Sequence, residues 1–296
     1  MMKRREFLCV FILSISSLCI NSCTGSESIN ESRYSSEHDF DILIFTQRWP
    51  ITDCMTWMGK GNDHVCVLPS QKDTWIIHGV WPTKFGTLGP FYCNKSAPFD
   101  IHSLEPIIDQ MKQYWTNIEK GTPVDSLWQH EWEKHGTCAK IIDDLNSENK
   151  YFGQGLSWLQ QYTMSGLLSK ANINPGSQYN AIDLHNAIKD SLKTNPSIHC
   201  VREKRHYGEQ YLSEIKICFN KKLELVNCDG IKGLSSNYVD DNIVIGNCDP
   251  NNEINYPSTL PQYILDKVDR EKTKPIWRFP WVNVYKLIEI IKWLTL

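Results

Sequence analysis

The sequence predicts an α+β fold: a central antiparallel sheet packed with several helices and stabilised by disulfides. Helical periodicity dominates up to about residue 192 and strand-like patterns dominate after it, with no regular βαβ rhythm. Eight cysteines follow the leader, an even number that implies disulfides in an oxidising compartment. The chain has 296 residues, 41% hydrophobic and 22% charged, ordinary values for one globular domain with appendages. Its net charge of −3 implies no broad basic surface. Any nucleic acid would be recognised at a pocket and not along a long electrostatic track.

Residues 1–24 read as a secretory signal. Lys3, Arg4 and Arg5 precede an apolar run, Phe7 to Ile20, that is too short and serine-rich for a comfortable membrane span. Residues 25–38 are rich in Ser, Glu and Asn and are expected to be disordered. The folded domain is expected over 39–250, and a linker with a hydrophobic and charged tail over 251–296.

Asp41 to Trp49 is apolar through its centre and reads as a strand. Trp75 to Ile77 reads as a buried strand, and Gly79 and Pro82 turn the chain just after His78. A histidine at a strand end beside Trp81 is well placed for chemistry, although a lone histidine is more often a core residue. Thr83 to Asn94 is a Gly-rich loop carrying Phe85, Phe91 and Tyr92. Ser103 to Trp115 has helical spacing. So do Tyr151 to Lys170, interrupted by Gly153 and Gly155, and Ala181 to Leu192. Ile198–Val201, Glu209–Phe219, Leu223–Asn227 and Asn242–Gly246 read as strands. Arg202, Lys204, Arg205 and His206 form a small basic cluster expected on a solvated hairpin. Asn30 and Asn94 begin glycosylation sequons.

The stretch His130-Glu131-Trp132-Glu133-Lys134-His135-Gly136-Thr137-Cys138 concentrates two histidines, two glutamates and a lysine. Asp125 can cap a helix before it, and Gly136 is a candidate stop. On a helix, Glu131, Lys134 and His135 share a face. A group titrating near neutrality, a cation for phosphate oxygens and a carboxylate to tune both are what acid–base work on a phosphodiester requires. A solvated helix face is the ordinary meaning of such a charge run. Trp128 and Trp132, four apart, call for burial and argue against it. The pair His130-Glu131 also begins a zinc protease signature, but that needs a second histidine at i+4, where Lys134 stands. His135, at i+5, lies about 140° around a regular helix. Zinc hydrolysis is rejected on that spacing, and no metal or cofactor is expected.

With both histidine segments in hand, IHGVWP (77–82) and HEWEKHGTC (130–138) resemble the two active-site segments of the ribonuclease T2 family. The resemblance runs from about Asp39 to about Asp249 and leaves the leader and tail uncovered. It implies secreted or lysosomal-vacuolar endoribonucleases of the family's α+β fold, cleaving single-stranded RNA without a cofactor through a 2′,3′-cyclic phosphate. Carried over residue by residue, it implies His135 as base, His78 as acid, Glu131 and Lys134 as transition-state stabilisers, His130 as a phosphate ligand and Trp81 as a base-stacking platform. It implies the pairs Cys54–Cys66, Cys93–Cys138, Cys200–Cys248 and Cys218–Cys228. It brings Gln47 toward the site, where contact with a nucleotide and an ordinary polar role at the strand end stay open. Thr83 departs from the family, which often has Asp after Trp-Pro, so base preference is expected to differ.

The tail carries three tryptophans from Pro275 onward, but Arg278, Pro280, Lys286, Glu289 and Lys292 interrupt it too often for a spanning helix. A membrane-surface or protein contact through the tail and packing on the domain itself are both open. A secreted binding or signalling protein acting through tail or surface is the alternative function. The chain is expected to be a monomer.

Overall fold

The strand Ile42–Arg48 (β1) is buried along its whole length. That requires cover on both faces and accounts for the near-continuous apolar run in its sequence. The computed structural model of the protein describes residues 39–61, 64–71, 74–202, 208–231, 235–239, 242–266, 288 and 291–292. These residues fall within one compact unit, His38–Leu296. The expected leader, the segment 25–38, Asn30, Lys204–His206 and nearly all of the tail lie outside the described residues.

β1 pairs antiparallel with Ile76–Thr83 (β2) and with Gln210–Phe219 (β5). Outward from β5 come Ser197–Arg202 (β4), Asn242–Gly246 (β8) and Ser235–Val239 (β7), in the order β2-β1-β5-β4-β8-β7. Ser177–Tyr179 (β3), Leu225–Val226 (β6) and Ile254–Tyr256 (β9) attach at the sides. Most pairings are antiparallel, as expected, but β4–β8 and β5–β9 are parallel, so the sheet is mixed. β3, β7 and β9 are short and offer little alternation to read.

Helices cover one face. Pro50–Lys60 (α1), unexpected from the sequence, starts on a proline whose fixed φ suits the first helical turn. The expected helix Ser103–Trp115 is broken: Ile101–Ile107 is a 3₁₀ turn holding Pro106, and only Ile108–Tyr114 (α2) is α-helical. Ser126–Glu131 (α3) leads into a π-helical turn, Trp132–Gly136, and a short α turn, Thr137–Ala139 (α4). Gly136 therefore does not stop the helix. The stretch Tyr151–Lys170 is two helices, Glu148–Gln161 (α5) and Met164–Lys170 (α6), split at Tyr162 and not at the glycines. Gly155 is instead a close approach, since a β-carbon there would collide with the Trp115 ring. Ala181–Leu192 (α7) ends as expected.

The main core joins these helices to alternate sheet residues, among them Leu43, Phe45, Ile77, Val80, Ile215, Ile217 and Phe219. Trp128 and Trp132 are buried in it. Four disulfides, Cys54–Cys66, Cys93–Cys138, Cys200–Cys248 and Cys218–Cys228, join the same pairs as the family resemblance implies. Among the described residues no helix is long and apolar enough to cross a membrane.

Candidate active site

His78 reaches the open face of the sheet because of a β-bulge. Thr46 pairs with Gly79 and Gln47 with Ile77, so β1 skips His78. The extra residue shifts the alternation of β2 by one. Ile77 and Val80, three apart, both face the helical core, while His78 and Trp81, also three apart, both face a cavity of about 410 Å³. β2 is an edge strand, and helix side chains satisfy its outward carbonyls. Trp115 Nε1–H donates to the His78 carbonyl at 3.0 Å and the Tyr151 hydroxyl donates to the Val80 carbonyl at 2.6 Å.

The second wall is the π turn. A π turn closes on i→i+5 and is typically found as a single turn at a functional site. It puts His135 one turn along from both His130 and Glu131, with the two imidazole centroids 6.3 Å apart. Gly136 permits the turn, because a β-carbon there would strike the Trp132 ring. This overturns the premise on which a metal was rejected, because the helix is not regular at that point. Ligand atoms of His130, Glu131 and His135 lie within 4.8 Å of one another, a nitrogen–oxygen donor set that could take a divalent cation.

Burial and hydrogen bonding sort the groups. Trp81 Nε1–H donates to Glu131 Oε2 at 2.7 Å. Burial raises the Glu131 carboxyl above its usual range, against the pull of His78 and the Trp81 bond. His135 is 5% exposed and its Nδ1 has no hydrogen-bond partner among the described residues. Burial, with the nearby charges of Lys134, His130 and His78, lowers its pKa to about 2. Burial also pulls His78 down, but the charge and hydrogen bond of Glu214 outweigh it and the net shift is upward. Burial raises Glu214, and the opposing attraction of His78, its hydrogen bond and Lys216 overcome that, so Glu214 stays well below the carboxylate range. His130, on the rim, is lowered by partial burial and by Lys134.

All six site residues expected from the sequence, His78, Trp81, His130, Glu131, Lys134 and His135, line this one cavity. Of the three aromatics on the 83–94 loop, Phe91 lines it and stands 5.5 Å from His135 between ring centroids. Cys93–Cys138 and the Tyr92 N–H, donating to the Lys134 carbonyl at 2.9 Å, tie the Phe91 loop to the π turn. Thr83 also lines the cavity. Gln47 does not: it is fully buried, donating to the Tyr162 carbonyl at 2.7 Å and accepting from the Met164 N–H at 3.2 Å, a clasp on the α5–α6 turn. Asn94 accepts from the Ser96 N–H in a local turn.

Sequence reasoning missed the floor. Glu214 and Lys216 on β5 and His199 on β4 rise beneath His78. His78 Nδ1 lies 2.5 Å from Glu214 Oε1, Lys216 Nζ is 3.3 Å from Glu214 Oε2, and His199 pairs across the strands with Glu214. The available signal was Ser-Glu-Ile-Lys-Ile (213–217), charges alternating with isoleucines in what reads as a central strand.

A model of the ribonuclease T2 family matches residues 40–228. Ribonuclease Oy of Magallana gigas is 37% identical over 194 residues, covering 64% of this chain and 88% of that protein. Ribonuclease T2 of Sus scrofa is 34% identical, with 64% and 90% covered. The crystal structure of human RNase T2 superposes with a TM-score of 0.57 at 28% identity, covering 74% of this chain and 99% of that one. Ribonuclease MC1 from the seeds of bitter gourd gives 0.56 at 27% identity, covering 64% and 94%.

Proposed function

The chain belongs to the ribonuclease T2 family and is an endoribonuclease, and we propose that it cleaves single-stranded RNA by internal transesterification, with His135 as base and His78 as acid. The ribose 2′-hydroxyl attacks the adjacent phosphorus and the 5′-oxygen leaves. A 2′,3′-cyclic phosphate remains, which water opens slowly. One observation carries the assignment: two imidazoles of one cavity are displaced in opposite directions, His135 toward neutrality and His78 toward charge. A neutral imidazole accepts the 2′-proton, and a charged one delivers a proton to the leaving oxygen. Such help contributes about 100- to 10,000-fold.

Glu131 is raised, and in its protonated form it donates a hydrogen bond to a phosphoryl oxygen while Trp81 fixes its other oxygen. Lys134 adds positive charge where the phosphorane gains electrons, and His130 binds phosphate from the rim. Trp81 and Phe91 offer aromatic surface to a base, which favours low specificity. A solved relative supports a nucleotide ligand: a variant of ribonuclease MC1, 27% identical, is known in complex with 5′-GMP.

The basic, apolar leader and the disulfides support residues 1–24 as a signal peptide, 39–250 as the catalytic domain and a secreted or lysosomal-vacuolar destination. A related protein of Solanum lycopersicum, 32% identical, is named extracellular ribonuclease LE. Asn30 and Asn94 remain glycan acceptors in this proposal, and the tail a surface contact of a monomer.

The test is digestion of short RNA in EDTA across mildly acidic to neutral pH, with mass analysis of the ends. Wild type is expected to leave cyclic phosphate ends and His135→Ala none. Loss of wild-type activity in EDTA would overturn the metal-free mechanism and turn attention to the His130–Glu131–His135 donor set. Undiminished cleavage by His135→Ala would remove His135 as base.

A further inference from the structure

We propose that Glu214 is a positioning residue for His78: it holds Nδ1, so that Nε2 is the nitrogen presented to the leaving oxygen, and Lys216 holds Glu214 in turn. The inference rests on His78 being the acid. The geometry is a chain of three side chains with one partner on each carboxylate oxygen. Glu214 Oε1 accepts from His78 Nδ1–H at 2.5 Å and Oε2 faces Lys216 Nζ at 3.3 Å. The chain is sheltered, with Glu214 16% and Lys216 11% exposed, while His78 keeps 30% exposure toward the cavity. The backbone supports it. The bulge that frees His78 from its register sets it over the β5 face that carries Glu214 and Lys216.

The charged surroundings decide what each member contributes. Glu214 and Lys216 face His78 from β5, His199 from β4, Arg48 with its partner Asp53 from β1 and α1, and Glu131, His130, Lys134 and His135 from the α3–π segment. Most of these are cations or titrate as cations. Without a carboxylate at Nδ1, burial and the neighbouring positive charge would hold this imidazole neutral. An imidazole's free nitrogen is set by the bond that the other one makes. With Nδ1–H donated to Glu214, the proton that leaves must be the one on Nε2. It goes to the 5′-oxygen as the P–O bond breaks, and His78 is left neutral with Nε2 unprotonated. That is the tautomer able to take a proton from water when the cyclic phosphate is opened. Glu214 thereby serves both steps without touching substrate.

The experiment compares wild type, Glu214→Gln, Glu214→Asp and His78→Ala on two substrates. One is a dinucleoside monophosphate, whose leaving alkoxide needs a proton. The other is uridine 3′-(4-nitrophenyl phosphate), whose phenolate leaves without one. Gln keeps an acceptor for Nδ1–H but loses the charge, and Asp keeps the charge on a shorter arm. We expect Glu214→Gln to lower kcat on the dinucleotide roughly 10- to 100-fold. The basic limb of its pH profile moves to lower pH, because the protonated acid is lost sooner. Asp recovers part of the loss, and the nitrophenyl ester is cleaved at near the wild-type rate. Equal losses on both substrates with an unmoved limb would make Glu214 a structural support only and overturn the proposal. Wild-type behaviour of Glu214→Gln, with His78→Ala defective on the dinucleotide alone, would overturn it while leaving His78 the acid. His78→Ala impaired alike on both substrates would remove the acid assignment and the proposal with it.

Discussion

The two faces of the central sheet are built on opposite rules. Toward the helices, Leu43, Phe45, Ile77, Val80, Ile215 and Ile217 are buried against apolar neighbours. Toward the cavity, the same strands present His78, Trp81, Glu214 and Lys216, with Glu131 and His135 brought down from the end of α3 and the π turn. The first face gains stability from each methylene it buries. The second holds ionisable groups under cover, costly unless each has a partner, and among the described residues it leaves His135 Nδ1 without one. One face specifies the fold and the other tunes protons. The same substitution chemistry should therefore read out differently on each.

The largest contrast pairs Gly79→Ala with Leu184→Ala. A β-carbon at Gly79 would collide with the Glu131 carboxylate and the Trp81 indole nitrogen. Their hydrogen bond must open, and the cavity groups move by the order of an ångström. Turnover per folded molecule is expected to fall roughly 100-fold, measured on a short RNA. Leu184 is fully buried in the helical core, away from the cavity lining. Its truncation should cost about 2–5 kcal/mol in urea unfolding with turnover unchanged. Wild-type turnover in Gly79→Ala would break the contrast.

This division also explains what was legible in the sequence. The helical face announces itself by periodicity: Trp128 and Trp132 four apart, the alternation of β5, the spacing of α7. The family segments announced six of the residues that line the cavity. What stayed hidden depends on departures from regular geometry. A bulge at His78 and a π turn at Trp132–Gly136 are single-residue shifts of register, and no periodic pattern encodes them. The judgement that His130 and His135 cannot share a ligand followed correctly from a regular helix and failed with it. The resemblance brought Gln47 toward the site with its role open, and it closes the α5–α6 turn 115 positions away in the chain. Glu209–Phe219 read only as a strand, and Glu214 and Lys216 went unmarked because their partner His78 is distant in sequence.

A second, smaller effect separates the faces by pH. His135 has a pKa of about 2 in the folded protein, against an ordinary unfolded histidine near 6.5. Below the unfolded value the unfolded chain binds a proton that the folded chain does not. Stability therefore falls as pH drops from 6.5 toward 2, with a slope of about 1.4 kcal/mol per pH unit from this residue. His78 and Glu214 do not mask it. His78 is raised, so its contribution is fully present below 6.5 and is lost only as pH rises through its folded pKa. Glu214 is depressed, so its contribution is fully present above the ordinary carboxylate value of 4.5 and is lost as pH falls below it. His135→Phe should be inactive but lose that slope, gaining on wild type as pH falls from 6 to 4 in chemical unfolding. A constant difference between the two over that range would mean that His135 is accessible to protons in the folded protein.

The smallest effect expected tests whether Trp81 serves the cavity by its ring or by its N–H. Its indole donates to Glu131 Oε2 at 2.7 Å, its ring lies 5.6 Å from that of His135, and Lys216 Nζ stands 5.1 Å from its centroid. Trp81→Phe keeps an aromatic face and removes the donor. A hydrogen bond to an ionisable group is worth about 1.5–3 kcal/mol, and a base stacked on an aromatic ring about 1–3 kcal/mol. If the N–H is what counts, kcat falls by roughly tenfold with KM little changed, because Glu131 is misplaced in the transition state while RNA still stacks. If the ring alone counts, Trp81→Phe is close to wild type and only Trp81→Ala raises KM. The bulge at His78 is what brings Trp81 and the acid onto one face, so a kcat effect would tie base recognition and proton transfer to the same irregularity of β2.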